Sequence, residues 1–414
     1  MTTAEVTSVW RNRNFRLVWS GQTLSEFGNG VSQLAYPLLM LAITGSPTAA
    51  GALAAVRALP YLLFGLIAGA LVDRWNRKRT MIVCDLLRAV NMATIPAALV
   101  VGVLTPAHVF VAGFAGGVLY VFFSAAEGAC LPNIVRKEQL TAAVSAQETA
   151  QSACGVIAGP VGGALLQLSR GLPFLVDALS FLASALCLSF VRGDFRSEET
   201  EPAQRGSLRA EVSEGVRWLW NHTALRLIAI TAAGLQVAIS GVALVAIVVA
   251  RDSGASSAAI GVLFSALGVG GVIGALLAPR LKKRLGLGGL LLSVLWLQAA
   301  LWVLMAFSTS LVMIAVVLGL FTVSMPCFGI AALSFQLEVT PDALRGRVGT
   351  AFSLLIWTAT PVGAAAAGVL LDVALPRTAS LIFAAWVVAL SAVATWSGGL
   401  RGLDKSDVDE EAVG

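Results

Sequence analysis

The chain has 414 residues, 57% of them hydrophobic and only 12% charged. A water-soluble globule of this length could not cover so much apolar surface, so the bilayer is the solvent, and soluble enzymes and soluble nucleic-acid binders are excluded. The formal net charge of +5 then reports membrane topology rather than an acidic partner.

Apolar stretches of roughly twenty residues, enough to cross about 30 Å of hydrocarbon as helix, recur along almost the whole chain. Twelve spans are expected, over approximately 17–43, 48–72, 80–103, 107–131, 143–168, 172–192, 222–250, 257–279, 285–307, 310–337, 346–371 and 378–399. Arg11, Arg13 and Arg16 precede a first span too long for a signal h-region and without a small-residue cleavage site, so that span is expected to stay. The fold class is therefore all-α and integral to the membrane.

On the first span, Glu26 lies about ten residues beyond Arg16, hence roughly 15 Å into the helix. Asn29 and Gln33 follow it a turn apart, so the three form a polar stripe on one face. Arg57 interrupts the second span. Between the second and third comes Gly69-Ala-Leu-Val-Asp73-Arg74-Trp-Asn-Arg77-Lys78-Arg79, and a degraded copy, Gly274-Ala-Leu-Leu-Ala-Pro-Arg-Leu-Lys-Lys-Arg284, follows a long apolar run half a chain later. A cationic turn repeated at the same place in the hydropathy pattern points to two similar halves, and that architecture points to transport.

Asp85 and Arg88 stand three apart on the third span, a spacing that suits a local ion pair. Glu127 comes about a turn before Pro132 at the end of the fourth. Glu148 and Gln151 lie a turn apart early in the fifth, which continues through Gly155, Gly159, Pro160 and Gly163. Glycines four apart let helices approach closely, and the proline removes a backbone donor and bends the helix. Asp177 is buried in the sixth span. Ionisable groups inside spans cost at least a few kcal/mol each, so Glu26, Arg57, Glu148 and Asp177 are functional candidates, with a structural charge network as the alternative for Arg57 and Asp177.

Polar composition then divides the chain into a first six-span bundle (1–192), a connector (193–221), a second six-span bundle (222–400) and an acidic tail (401–414) that reads as disordered. Leu208, Val212, Val216 and Leu219 recur at helical spacing beside Arg217, Trp218 and Trp220, which fits an amphipathic surface helix or a plain linker helix equally. The second bundle has almost no buried acid and offers Gln236, Gln336 and Trp357 as contacts for a greasy ligand. Basic residues occupy alternate loops, including Arg74 to Arg79, Arg136, Lys137, Arg345 and Arg347, which places those loops and both termini in the cytoplasm.

Five cysteines stand singly and only two histidines are present, so no metal site is expected. No phosphate-binding loop or nucleophile-base constellation suggests catalysis or ATP use, and no cofactor is expected.

The Gly69–Arg79 segment resembles the loop between the second and third helices of the major facilitator superfamily. The Gly155–Gly163 segment resembles the glycine-proline motif on that family's fifth helix, associated with antiporters. Leu131-Pro-Asn-Ile-Val135, Val176-Asp-Ala-Leu-Ser-Phe181 and Thr340-Pro-Asp-Ala-Leu-Arg-Gly-Arg-Val348 are similar to its macrolide-efflux and enterobactin-export branch. The resemblance covers essentially the whole chain. It implies two pseudo-symmetric six-helix bundles, alternating access, and a cytoplasmic gate in which Asp73 meets the start of the eleventh helix and Arg77 reaches a carboxylate such as Glu127. It further implies a monomer in a bacterial inner membrane, with a hydrophobic or amphipathic small molecule, protons and lipid as partners and no nucleic acid. Two departures matter: Asn29 stands where many relatives carry an acid, and Ala278 and Pro279 replace the Asp-Arg pair in the second loop copy. Proton-coupled export is the expectation; an importer or uniporter of the same fold, a polytopic enzyme and a transport-inactive sensor remain alternatives.

Overall fold

A computed structural model describes residues 8–72, 74–192 and 208–397. The long elements are all helices: α1 Arg13–Thr44, α2 Pro47–Val72, α3 Arg77–Val101, α4 Pro106–Ile134, α5 Leu140–Leu168, α6 Leu172–Ser189, α7 Leu208–Asn221, α8 Thr223–Asp252, α9 Ser257–Ala306, α10 Leu311–Val339, α11 Arg345–Val373 and α12 Pro376–Trp396. Side-chain caps fix the starts of several, α1, α3 and α4 among them. Asn12 accepts from the amides of Asn14 and Phe15, Asn76 from Arg79 and Thr105 from His108. Gly45, at φ 69°, takes the left-handed conformation that closes α1.

Among the described residues, ten helices are long and apolar enough to cross a membrane. α1 is not among them, because the Glu26 stripe and other polar residues lower its hydropathy despite its 32 residues. The eighth and ninth expected spans are the two arms of α9, which bends at a kink between them. The basic segment 280–284, expected as a loop, is helical, and the chain breaks instead at Gly286, with φ 69° and ψ 179°. Arginine, lysine and leucine are good helix formers, whereas that φ favours glycine.

The chain forms two compact units. The first comprises Met1–Gly45, Val56–Glu201 and Ser256–Ser265, and the second Ser46–Ala55, Pro202–Ala255 and Ala266–Gly414. They differ from a division at the connector by two short pieces. Within the first unit, a Cβ on Gly159 would lie 2.8 Å from the Gly261 carbonyl oxygen, so α5 and the first turns of α9 meet backbone to backbone. Within the second, Gly51 and Gly368 bring the start of α2 onto α11, where Thr48 donates to Asp372 at 2.8 Å.

In the second unit, α7 packs on α11 and α8. Leu219 is fully buried, Glu214 pairs with Arg347, and Trp218 stacks on His222 at 5.6 Å. Val216 and Trp220 stay exposed. One side of the connector helix is therefore committed to protein.

Candidate functional site

In the first unit α1 is pressed against α6 and α5 on one side. A Cβ on Gly28 would come within 2.7 Å of Asp177 Oδ1, and one on Gly162 of α5 within 2.8 Å of the Val31 carbonyl oxygen. On α4, a Cβ on Gly117 would lie 2.6 Å from the Arg57 carbonyl oxygen. These side-chain-free contacts draw the backbones together and leave the polar stripe of α1 facing a space between the helices.

That space has two chambers. One, of about 240 Å³, is lined by Trp19, Gln22 and Glu26 of α1, Glu127 of α4, and Gln147, Glu148 and Gln151 of α5. The other, of about 300 Å³, is lined by Ser32, Gln33 and Tyr36 of α1, Arg57 of α2, and Asp177 and Phe181 of α6. Glu26, Asn29, Arg88 and Tyr120 line both and form the partition.

Arg88 is the centre of this partition. It donates through Nη2 to Asn29 Oδ1 at 2.9 Å, faces Asp85 Oδ1 at 3.5 Å, and lies 3.9 Å from the centroid of the Phe181 ring. Both Asp85 and Arg88 are buried. The Asp85–Arg88 spacing read as a local pair gives such a pair, and the same arginine also reaches the cavity. In the first chamber, Gln147 donates to Gln22 Oε1 at 2.8 Å and to Glu127 Oε1 at 3.3 Å. In the second, the Arg57 guanidinium lies 4.1 Å from the centroid of Tyr36, whose hydroxyl meets Met92 Sδ at 3.4 Å. Asp177 is 1% exposed, and its Oδ1 has no hydrogen-bond partner among the described residues.

The fold thus gathers Glu26, Asn29, Gln33, Arg57, Glu127, Glu148, Gln151 and Asp177 from five helices around one cavity. Arg88, Tyr36, Tyr120, Trp19 and Gln147 belong to the same lining and were not singled out for it in the sequence. Arg88 had a usable signal, a charge inside an apolar span; the others had none.

The remaining candidates lie elsewhere. Asp73 falls outside the described residues. Gly69 has open space around its α-carbon and Arg74 is exposed. Arg77 donates to the Ala129 carbonyl at 2.8 Å, and Lys78 to the Val191 and Ser189 carbonyls at 2.6 and 3.1 Å, so this loop ties down the ends of α4 and α6. The Glu127 carboxylate, expected opposite Arg77, is found with Gln147 on the cavity wall. Arg345 pairs with Asp342 and donates to the Leu337 carbonyl at 3.0 Å, while Arg347 holds Glu214 of α7. On α5, Gly159 and Gly163 face α9, Pro160 sits inside the helix, and Gly155 is exposed.

In the second unit Gln236 gives its amide to Thr360 at 3.1 Å and Ser240 at 3.4 Å. Gln336 is buried beside Gly349, and Trp357 is 38% exposed. Among the described residues no group of three or more His, Cys, Asp and Glu side chains could hold a metal ion.

A family described as transmembrane secretion effector matches residues 5–412. The multidrug efflux pump Tap of Mycolicibacterium fortuitum is 29% identical over 391 residues, 91% of this chain and 94% of that protein. Macrolide efflux protein A of Streptococcus pyogenes is 25% identical over 212 residues, 51% of this chain and 52% of its own. Among solved structures, a mutant of the nucleoside transporter NupG superposes with a TM-score of 0.78 at 13% identity, covering 92% of this chain and 99% of that one. That likeness gives the fold, a multi-pass bundle of long helices.

Proposed function

We propose, from the premise that the chain belongs to the transmembrane secretion effector family of the major facilitator superfamily, that it exports a hydrophobic or amphipathic small molecule in exchange for protons. The names of the efflux relatives support the direction. The observation that carries the coupling is the cavity of the first unit, where Glu26, Glu127 and Glu148 line one chamber and Glu26 also borders the chamber of Arg57 and Asp177.

Several acids around one cavity, within a span, are expensive to keep ionised. A proton arriving at Glu26 would cancel such a charge and bias the balance between states that open the cavity to either side of the membrane. The membrane potential offers about 2.3 kcal/mol per charge per 100 mV for this step. In this reading the protein works as a monomer in a bacterial inner membrane, lipid around it and both termini in the cytoplasm, with no cofactor. The tie of Arg77 and Lys78 to the ends of α4 and α6 supports a gate-side role for the basic loop, Asp73 included.

Accumulation of a panel of macrolides, lipophilic cations and catecholate siderophores in everted vesicles, with and without a proton gradient, tests the reading. Wild-type protein should accumulate at least one compound only with the gradient, and Glu26→Gln should bind it yet fail to concentrate it. Gradient-driven accumulation by Glu26→Gln at the wild-type level would overturn the coupling.

A further inference from the structure

An arginine within a span ordinarily acquires a carboxylate or a set of carbonyl oxygens, because an uncompensated cation there is costly. Arg88 follows this rule through Asn29 and Asp85. Arg57 does not. Among the described residues its guanidinium forms no hydrogen bond and no ion pair, and the contact that holds it is the face of Tyr36 at 4.1 Å. The ring steadies the cation without using the in-plane N–H groups, since a cation held over an aromatic face is attracted by the ring quadrupole.

Those donors belong to a residue that lines the 300 Å³ chamber, with Ser32 and Gln33 on the facing helix α1. Close approach of α2 to α4 at Gly117 fixes the backbone of Arg57 itself, so the fork is placed by packing. A planar fork of N–H donors that takes no protein acceptor and borders an open chamber matches a carboxylate or another anionic oxygen group in two parallel bonds. Glu26 and Asp177 are carboxylates of the same chamber, yet neither makes an ion pair with Arg57.

We propose that the Arg57 chamber is the subsite for an anionic oxygen group on the exported molecule, a carboxylate or an ionised phenol or enol, so that the preferred substrates are amphiphiles bearing such a group. This rests on the export reading above. At about 300 Å³ the chamber lies at the lower limit for a drug-sized molecule, and Glu26, Asn29, Arg88 and Tyr120 also border the first chamber, where the apolar body has Trp19, Tyr120 and Phe123 to lie against.

Rhodamine B and its ethyl ester differ in one carboxylate and report by their own fluorescence. Their transport by wild type, Arg57→Gln and Arg57→Lys, each with its thermal unfolding checked in detergent, tests the subsite. The ratio of rhodamine B to ester transport should fall about tenfold in Arg57→Gln, as expected for a lost hydrogen bond to a charged group, and recover in part in Arg57→Lys. An equal loss for both dyes from a folded Arg57→Gln would overturn the proposal. So would recovery of rhodamine B transport in the Arg57→Gln/Asp177→Asn double variant, which would make Arg57 a partner of Asp177 instead. If wild type moves neither dye, the export reading suffers. Fluorescence anisotropy binding of rhodamine B to purified wild type and Arg57→Gln then decides the subsite, which tighter binding to wild type supports and equal affinities overturn.

Discussion

The interior of the first unit and that of the second solve the same problem, polar groups within a membrane bundle, in opposite ways. In the second, Gln298 is buried and donates to Ser324 Oγ at 2.6 Å and the Phe321 carbonyl at 3.2 Å, and Gln236 is held by Thr360. Trp302 stacks on Phe383 at 4.7 Å in a fully buried layer. In the first, charges from α1 to α6 face a cavity, and Arg57 stands there with donors to spare. Packed amides and aromatic rings make a scaffold there, even though Gln298 Oε1 and Trp302 Nε1 find no hydrogen-bond partner among the described residues. Charges that border an open cavity make a site.

The contrast can be broken by substitution. Arg88→Met should have the largest effect: it strands the Asp85 carboxylate in a buried position, and breaking a buried pair costs about 3–5 kcal/mol. Thermal unfolding in detergent and loss of transport would register it, and an unchanged unfolding temperature would show that Arg88 holds nothing together. Gly117→Ala comes next, at about 1–3 kcal/mol from overpacking against the Arg57 carbonyl, whereas Gly271→Ala on α9, with open space around it, should leave stability unchanged or slightly raised. Equal losses from the two would remove the argument from close approach.

Gln298→Leu should cost about 1 kcal/mol or less, since hydrogen bonds between membrane helices contribute little net stability, and it should leave the substrate profile intact. A changed profile would extend the site into the second unit. Glu214→Gln should have the smallest effect, under about 1 kcal/mol, because both partners of that pair are partly exposed. A larger shift in the unfolding temperature would make the connector helix a principal brace of α11.

Much of this was legible in the sequence for a physical reason. Hydropathy over a span is a sum along the chain, so the apolar runs located the helices, and the place where the eighth span gives way to the ninth hinged on the local conformation of Gly286. A charge within such a run is conspicuous by its cost, so Glu26, Arg57, Glu148 and Asp177 could be picked out one by one. Their meeting could not be, because it depends on how each helix is rotated about its axis. Arg88 shows the difference: its pair with Asp85 is a matter of spacing, but its bond to Asn29 and its place over Phe181 depend on contacts between α1, α3 and α6. The matching of Gln147 to Gln22 and Glu127 likewise spans α5, α1 and α4, which no spacing encodes.

The polarity of α1 bears on how the protein is made. It is the helix that composition alone would not send into a bilayer, and its main neighbours are α5 and α6, which emerge from the ribosome only after the rest of that bundle has been synthesised. The nascent chain must therefore carry its least greasy segment, with Glu26 and Asn29 unsheltered, until the helices that shield it arrive. Biogenesis of this transporter is thus a delayed closing of the first segment against the last of its bundle, and lesions in α6 at the face opposite Gly28 would be felt as failures of assembly before any substrate is met.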